Sequence, residues 1–168
     1  VTPLPGWVLA ERFADPPGIR LTSGSTSLDV ATIPFTGTDV DLLASYVNQV
    51  LEPDAEQFQV SEEVEPIRLA SGLTGTRIAY VGLFGDVQAP IEGEVTAVVS
   101  PSGAGVIFNG WAPAGQLQFE IDEIGFAEAV GLIDGTGQHR EAKPARCGFS
   151  LIRIATMQPQ FRSHTARH

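Results

Sequence analysis

Cysteine is nearly absent from this chain: Cys147 is the only one in 168 residues. One thiol closes no internal disulfide and builds no thiolate zinc cage. Lysine is as scarce, with Lys143 alone, and histidine is confined to His139, His164 and His168. No stretch of about 18 apolar residues occurs, so no transmembrane segment is expected. Basic residues are outnumbered, ten Lys and Arg against twenty Asp and Glu, for a net charge of −10. Residues 1–138 carry 19 acids and only Arg12, Arg20, Arg68 and Arg77, whereas 139–168 carry six basic residues and one acid, Glu141. Nucleic-acid affinity comes largely from Lys and Arg neutralising phosphates. DNA, RNA and anionic lipid are therefore poor partners for the acidic body, the basic stretch being the one exception.

The length fits one domain, since single domains usually run to ~100–200 residues. With 43% apolar residues the chain is too hydrophobic to stay unfolded, and its 18 Gly and 12 Pro follow no collagen period. Period-two patterning and turn chemistry predict strands over 7–13, 19–22, 27–33, 58–60, 65–69, 76–84, 91–100 and 106–111. Asp15-Pro16-Pro17-Gly18 and Ser23-Gly24-Ser25-Thr26 are turn compositions, and 101–105 joins two strands as a hairpin. A helix over 39–51 opens on Thr38 with Asp41 three residues on, the capping-box spacing. It presents Val40, Leu43, Val47, Val50 and Leu51 on one face and stops at Pro53. A second helix is predicted over 114–133, with Pro113 beside its first turn, Leu117, Ile121, Ile124, Phe126, Val130 and Ile133 as its stripe, and Gly135 as its stop.

The near-continuously apolar strands call for cover on both faces of the sheet. Residues 1–138 thus read as a single domain. The charge inverts at 139, and 139–168 reads as a basic tail, partly disordered or a non-native extension, with 148–157 as one further candidate strand. The chain starts at Val1 and has its one methionine at Met157, which suits a matured or excised chain. Together with low lysine and one cysteine, this favours an exported bacterial domain over a cytoplasmic one.

The order of elements, with the segments Gly6-Trp7, Gly72-Leu73-Thr74-Gly75-Thr76-Arg77, Glu92-Gly93-Glu94-Val95-Thr96 and Trp111-Ala112-Pro113, resembles the Mog1/PsbP-like superfamily over about residues 6–133. Small bacterial secreted proteins and lipoproteins of the LpqN and DcrB type look similar. The resemblance implies an α+β chain folded as an α/β/α sandwich, with a central, mainly antiparallel sheet of about six to seven strands and the two main helices 39–51 and 114–133. It also implies a binding or assembly role, as in a Ran-binding protein and an extrinsic photosystem II subunit, and brings no catalytic residue set with it. The strong acidity and the basic tail depart from the pattern.

A search for chemistry in the residues themselves finds little. Cys147 and His139 stand eight apart with no orienting Asn or Asp after them, so a small hydrophobe beside a solvated histidine is the plainer account of the pair. No G-x-S-x-G elbow, P-loop ending or D-x-D-x-D-G calcium loop occurs. The acidic run Ser61-Glu62-Glu63-Val64-Glu65 reads as a solvated face. Arg77 lies in an apolar strand of an acidic body and must meet a carboxylate, in a structural salt bridge or a ligand contact. Asn109 and Trp111 share a face with Ile107 by the strand period and either line a small pocket or belong to the core. Arg77, Asn109 and Trp111 are thus the candidate ligand contacts, with no catalytic residue, metal or cofactor expected. The expected function is a non-catalytic exported binding or accessory domain. The alternatives are an accessory domain of a larger exported enzyme, or a hydrolase or redox activity in which Cys147 acts with a tail histidine.

Overall fold

The computed structural model describes residues 6–69, 72–85 and 90–117. Eight strands form one antiparallel sheet: β1 (Val8–Ala14), β2 (Pro17–Ser23), β3 (Thr26–Pro34), β4 (Ala55–Val60), β5 (Glu65–Arg68), β6 (Thr74–Phe84), β7 (Ile91–Val99) and β8 (Ala104–Pro113). Their spatial order is β1-β2-β3-β8-β7-β6-β4, with β5 also on β6. Two meanders, β1 to β3 and β6 to β8, are joined at the centre by the β3–β8 ladder, where Ser27 faces Trp111 and Pro34 faces Ala104. β4 and β5 lie end to end along one edge of β6, Val60 opposite Tyr80 and Glu65 opposite Arg77, and the Ser61 amide donates to the Ala79 carbonyl between them at 2.9 Å.

Local chemistry sets these registers. The β2–β3 hairpin turns through Gly24-Ser25, and Gly24 at φ +58° supplies the left-handed position such a turn demands. The chain then leaves the middle of the sheet at β3 and must reach the far edge at β4. It does so through α1 (Asp39–Tyr46), which crosses one face above β8, β7 and β6. Thr38 caps α1: its Oγ1 accepts from the Asp41 amide at 3.1 Å, while Asp41 Oδ2 accepts from the Thr38 amide at 3.0 Å. The Thr38 amide and, at 2.7 Å, the Thr38 hydroxyl both donate to Asp41 Oδ2, and these two bonds, backbone first, hold the Asp41 carboxyl below its usual range. The helix widens into a π-turn over Val47–Leu51 and tightens into a 3₁₀ turn over Glu52–Asp54 before β4 begins.

Two apolar clusters sit on opposite faces. Under the helix, Leu42, Leu43, Tyr46, Val50 and Leu51 pack on Ile33, Ile78, Phe84, Val95 and Ile107. On the other face Ile19, Leu21, Leu28, Val30, Val98, Val106 and Phe108 pack with Leu69 against Trp7, Leu9, Ile67 and Leu73.

The expected sandwich with two main helices is corrected here, among the described residues, to an eight-stranded sheet with one short α-helix. Residues 114–117, assigned above to the start of a second helix, instead form a turn in which the Gln116 amide donates to the Pro113 carbonyl at 2.9 Å and Gly115 sits at φ +79°. Proline followed two residues later by glycine serves a β-turn as well as a helix start, and the end of β8 selects the turn. The remainder of that segment, 118–133, lies outside the described residues, as do 139–168 and the candidate strand 148–157. The strand count is eight among the described residues, rather than about six to seven.

Of the expected helix stripe, Leu43, Val47, Val50 and Leu51 are buried and Val40 is not. Val40 is 49% exposed, whereas Leu42 is fully buried and seats on β8 at Gly105, where an added Cβ would lie 2.9 Å from Leu42 Cδ2. Leu42→Ala is expected to cost about 2–5 kcal/mol, and Val40→Ala to stay within about 0.5 kcal/mol. Urea unfolding of the two variants checks this; equal losses would return Val40 to the buried face.

Candidate functional site

Polar side chains gather in two places, one on each face of the sheet. On the helix-covered face, the ladder places Glu11 opposite Arg20, Arg20 opposite Asp29 and Asp29 opposite Asn109. Directly opposed residues of a sheet project to one side, so four polar side chains line up across β1, β2, β3 and β8. Arg20 grips Asp29 in a fork, Nε to Oδ1 at 2.6 Å and Nη2 to Oδ2 at 2.8 Å, and its Nη1 reaches Glu11 Oε2 at 3.5 Å. The guanidinium carbon lies 5.5 Å from the Phe13 ring centroid and 5.9 Å from that of Trp111, within cation–π range of both. Arg20 is 8% and Asp29 3% exposed.

The line continues through uncharged groups. The Tyr80 hydroxyl donates to Asn109 Oδ1 at 2.9 Å. To get there the ring lies flat over β7 at Gly93, where an added Cβ would come within 2.5 Å of the ring and hydroxyl. Any larger residue at 93 would push Tyr80 off Asn109. Tyr80 also meets Phe58 and Phe84, with centroids 5.9 and 5.7 Å away, so the polar line merges into an aromatic cluster.

Ionisation follows from this packing. Burial pulls the Arg20 guanidinium down, but the Asp29 hydrogen bonds and the charges of Asp29 and Glu11 more than offset it and leave it above its ordinary value. Burial, then the Asp29 charge, pushes the Tyr46 phenol well above its usual range. Tyr80 is raised likewise by burial, by Tyr46 and by Asp29, with Asn109 opposing.

On the other face, Arg77 opposes Thr96, which opposes Phe108, the neighbour of Asn109. Arg77 therefore points away from Asn109 and Trp111. Its Nε and Nη2 donate to Glu65 Oε2 at 3.0 and 2.7 Å, and its Nη1 lies 3.5 Å from Glu94 Oε1. The pair lies in an open cleft of about 340 Å³ lined by Ser61, Glu62, Glu63, Glu65, Arg77 and Glu94, at the break between β4 and β5. A second open cleft of about 280 Å³ lies between the β2–β3 turn and Gly115-Gln116.

Of the three residues singled out from sequence, Asn109 and Trp111 thus belong to the buried line and Arg77 to the edge cleft. Cys147 and all three histidines lie outside the described residues. Among the described residues no three His, Cys, Asp or Glu side chains come together as a metal-holding group, and no helix is long and apolar enough to cross a membrane. The sequence reading missed Arg20, Asp29, Tyr46 and Tyr80. A signal existed: a two-residue turn at Gly24-Ser25 puts Arg20 opposite Asp29, a charged pair inside two apolar strands. No protein-family model matches the chain, and no curated protein matches it significantly.

Tyr46 and Tyr80 are the only two tyrosines, so tyrosinate absorbance reads this network alone. The folded chain is expected to hold both protonated above pH 10, where the unfolded chain ionises; stability falls as pH rises through that value. Absorbance at about 295 nm should therefore appear only together with loss of circular dichroism. A phenol titrating near pH 10 in the folded chain would contradict the buried arrangement.

Removing one charge of the pair strands the other. Asp29→Asn is expected to destabilise by about 3–5 kcal/mol, and the double replacement Arg20→Met/Asp29→Leu by much less. Denaturant midpoints of the single and double variants test this, and additive losses would show that the charges do not depend on each other.

Proposed function

We propose that this chain is a non-catalytic binding or accessory domain of the Mog1/PsbP-like kind, acting outside the cytoplasm. The observation that carries the reading is the closed state of its buried polar line. Arg20 donates to Asp29 and Glu11, and the Tyr80 hydroxyl donates to Asn109 Oδ1. An acid–base catalyst needs a group poised near the working pH. Here the shifts run the other way: the two phenols and the guanidinium all rise, leaving each protonated throughout the neutral range.

What such a domain offers a partner is surface, and both described clefts are open and polar rather than deep and apolar as small-molecule sites usually are. The excess of carboxylates favours a protein partner over nucleic acid. Exported location rests on the sequence composition alone. Assay of the full chain against ester, peptide and glycoside substrates is expected to give no turnover above buffer. A turnover abolished by Tyr80→Phe or Arg77→Gln, with the fold retained, would overturn the reading.

A further inference from the structure

We propose that the β4–β5 edge is the docking surface of this domain and that its occupant is an extended, arginine- or lysine-bearing segment of another protein; this rests on the binding role proposed above. Three observations meet at this edge. The first is backbone: β4 and β5 pair with β6 on one side and with no strand on the other among the described residues. The chain between them, 61–64, leaves the ladder. An extended segment laid along such an edge finds main-chain groups to bond.

The second is apolar exposure. Of the five large hydrophobic side chains left exposed among the described residues, Val60, Val64 and Val81 all belong to this edge, at 41%, 43% and 36%. Val64 lies within the break, Val81 follows Arg77 and Ala79 on the cleft side of β6 by the two-residue period, and Val60, opposite Tyr80, projects to the other face.

The third is charge complementarity, and the cleft shows which cation it accepts. Arg77 already lies there as a guanidinium shared between Glu65 and Glu94. Next to it Glu62 and Glu63 are exposed and make no ion pair among the described residues. Two further carboxylates of the same cleft are thus left for a guanidinium or ammonium from outside. Val64 and Val81 meet the apolar stem of that cationic residue, and Val60 on the other face meets its neighbour along the segment. A bare metal ion has no use for the valines or for the strand edge. A polypeptide uses all three features at once.

The edge is also guarded against indiscriminate pairing. Gln57 at φ +53° marks a register shift in β4, and Pro66 removes an amide donor from β5. Bulges, edge charges and edge proline are the usual devices against self-association. They leave a short interrupted edge that accepts a charged segment better than a second flat strand.

The test uses the full chain and a fluorescein-labelled twelve-residue peptide of alternating arginine and valine, with its glutamate-for-arginine counterpart as control. The arginine peptide is expected to bind, with amide shift changes confined to 59–65, 77–81 and 94. Glu62→Gln/Glu63→Gln is expected to weaken it roughly tenfold, and raised salt should weaken it too. Val64→Ser/Val81→Ser should weaken it at unchanged salt dependence. The matched control Asp15→Asn/Asp39→Asn should leave it unchanged. Absence of binding, shifts elsewhere, or equal loss in the control variant would overturn the edge assignment while leaving a binding role intact. Self-association of the chain that the Glu62/Glu63 variant abolishes would give the edge to a second copy and overturn the proposed occupant. Turnover in the substrate panel would strike at the binding role itself.

Discussion

A carboxylate shut away from water needs a cation, and Asp29 has Arg20. Their two-point contact also fixes strand register. A one-residue slip of β2 along β3 would turn Arg20 to the other face and set it against Leu28 or Val30, burying a lone charge on each side. The pair therefore selects one alignment of the first hairpin against its near neighbours. Asp29 in turn faces Asn109 on β8, and Asn109 takes the Tyr80 hydroxyl from β6. The β1–β3 meander thus carries the Arg20–Asp29 pair and the β6–β8 meander the Tyr80–Asn109 bond, and the β3–β8 ladder sets the two side by side. Such a line adds less to net stability than to uniqueness, because its gain in pairing is set against the loss of hydration.

The same residue type has two different weights in this fold. Arg20 keeps 10% of its side-chain surface in contact with solvent and Arg77 keeps 28%, while the carboxylates they grip differ more, 3% for Asp29 against 57% for Glu65. Both arginines hold their acid at under 3 Å. Only the first pair is screened little enough for its loss to threaten the fold; the second is an edge pair that solvent and salt weaken. Distance alone would rank them as equals. Burial separates a structural pair from one whose partners can be rearranged.

Much of this was legible in the residues. The capping box at Thr38, the alternation in β3 and β8 and the turn at Gly24 are local signals, and local signals need no knowledge of the fold. Arg77 was legible in part, since an arginine in an apolar strand demands a carboxylate; that Glu65 answers it follows only from the β5–β6 register. Arg20 and Asp29 needed turn length and strand pattern to be combined, a step two residues beyond what either strand displays. The helix stripe missed at one residue because Val40 and Leu42 are both apolar, and what decides between them is how α1 seats on the sheet above Gly105. At Ala114 the apparent helix start failed for a different reason. Proline then glycine suits two structures, and the emerging end of β8, with Leu117 donating to Glu92 Oε1 at 2.9 Å, holds the turn.

A sheet with polar groups on both faces could in principle gather them for chemistry. Here the groups on the buried face are the ones with displaced ionisation, and each is displaced away from neutrality, so burial has removed them from proton exchange. The groups on the other face remain within reach of solvent, in a cleft too open to exclude water. The division follows from the crossover between β3 and β4. By carrying α1 over β8, β7 and β6, it covers the Asn109–Tyr80 end of the polar line and sends the chain to the far edge. There it must be laid down as two short strands with a charged break between them. One connection thus covers one face of the sheet and leaves the charged break at its rim.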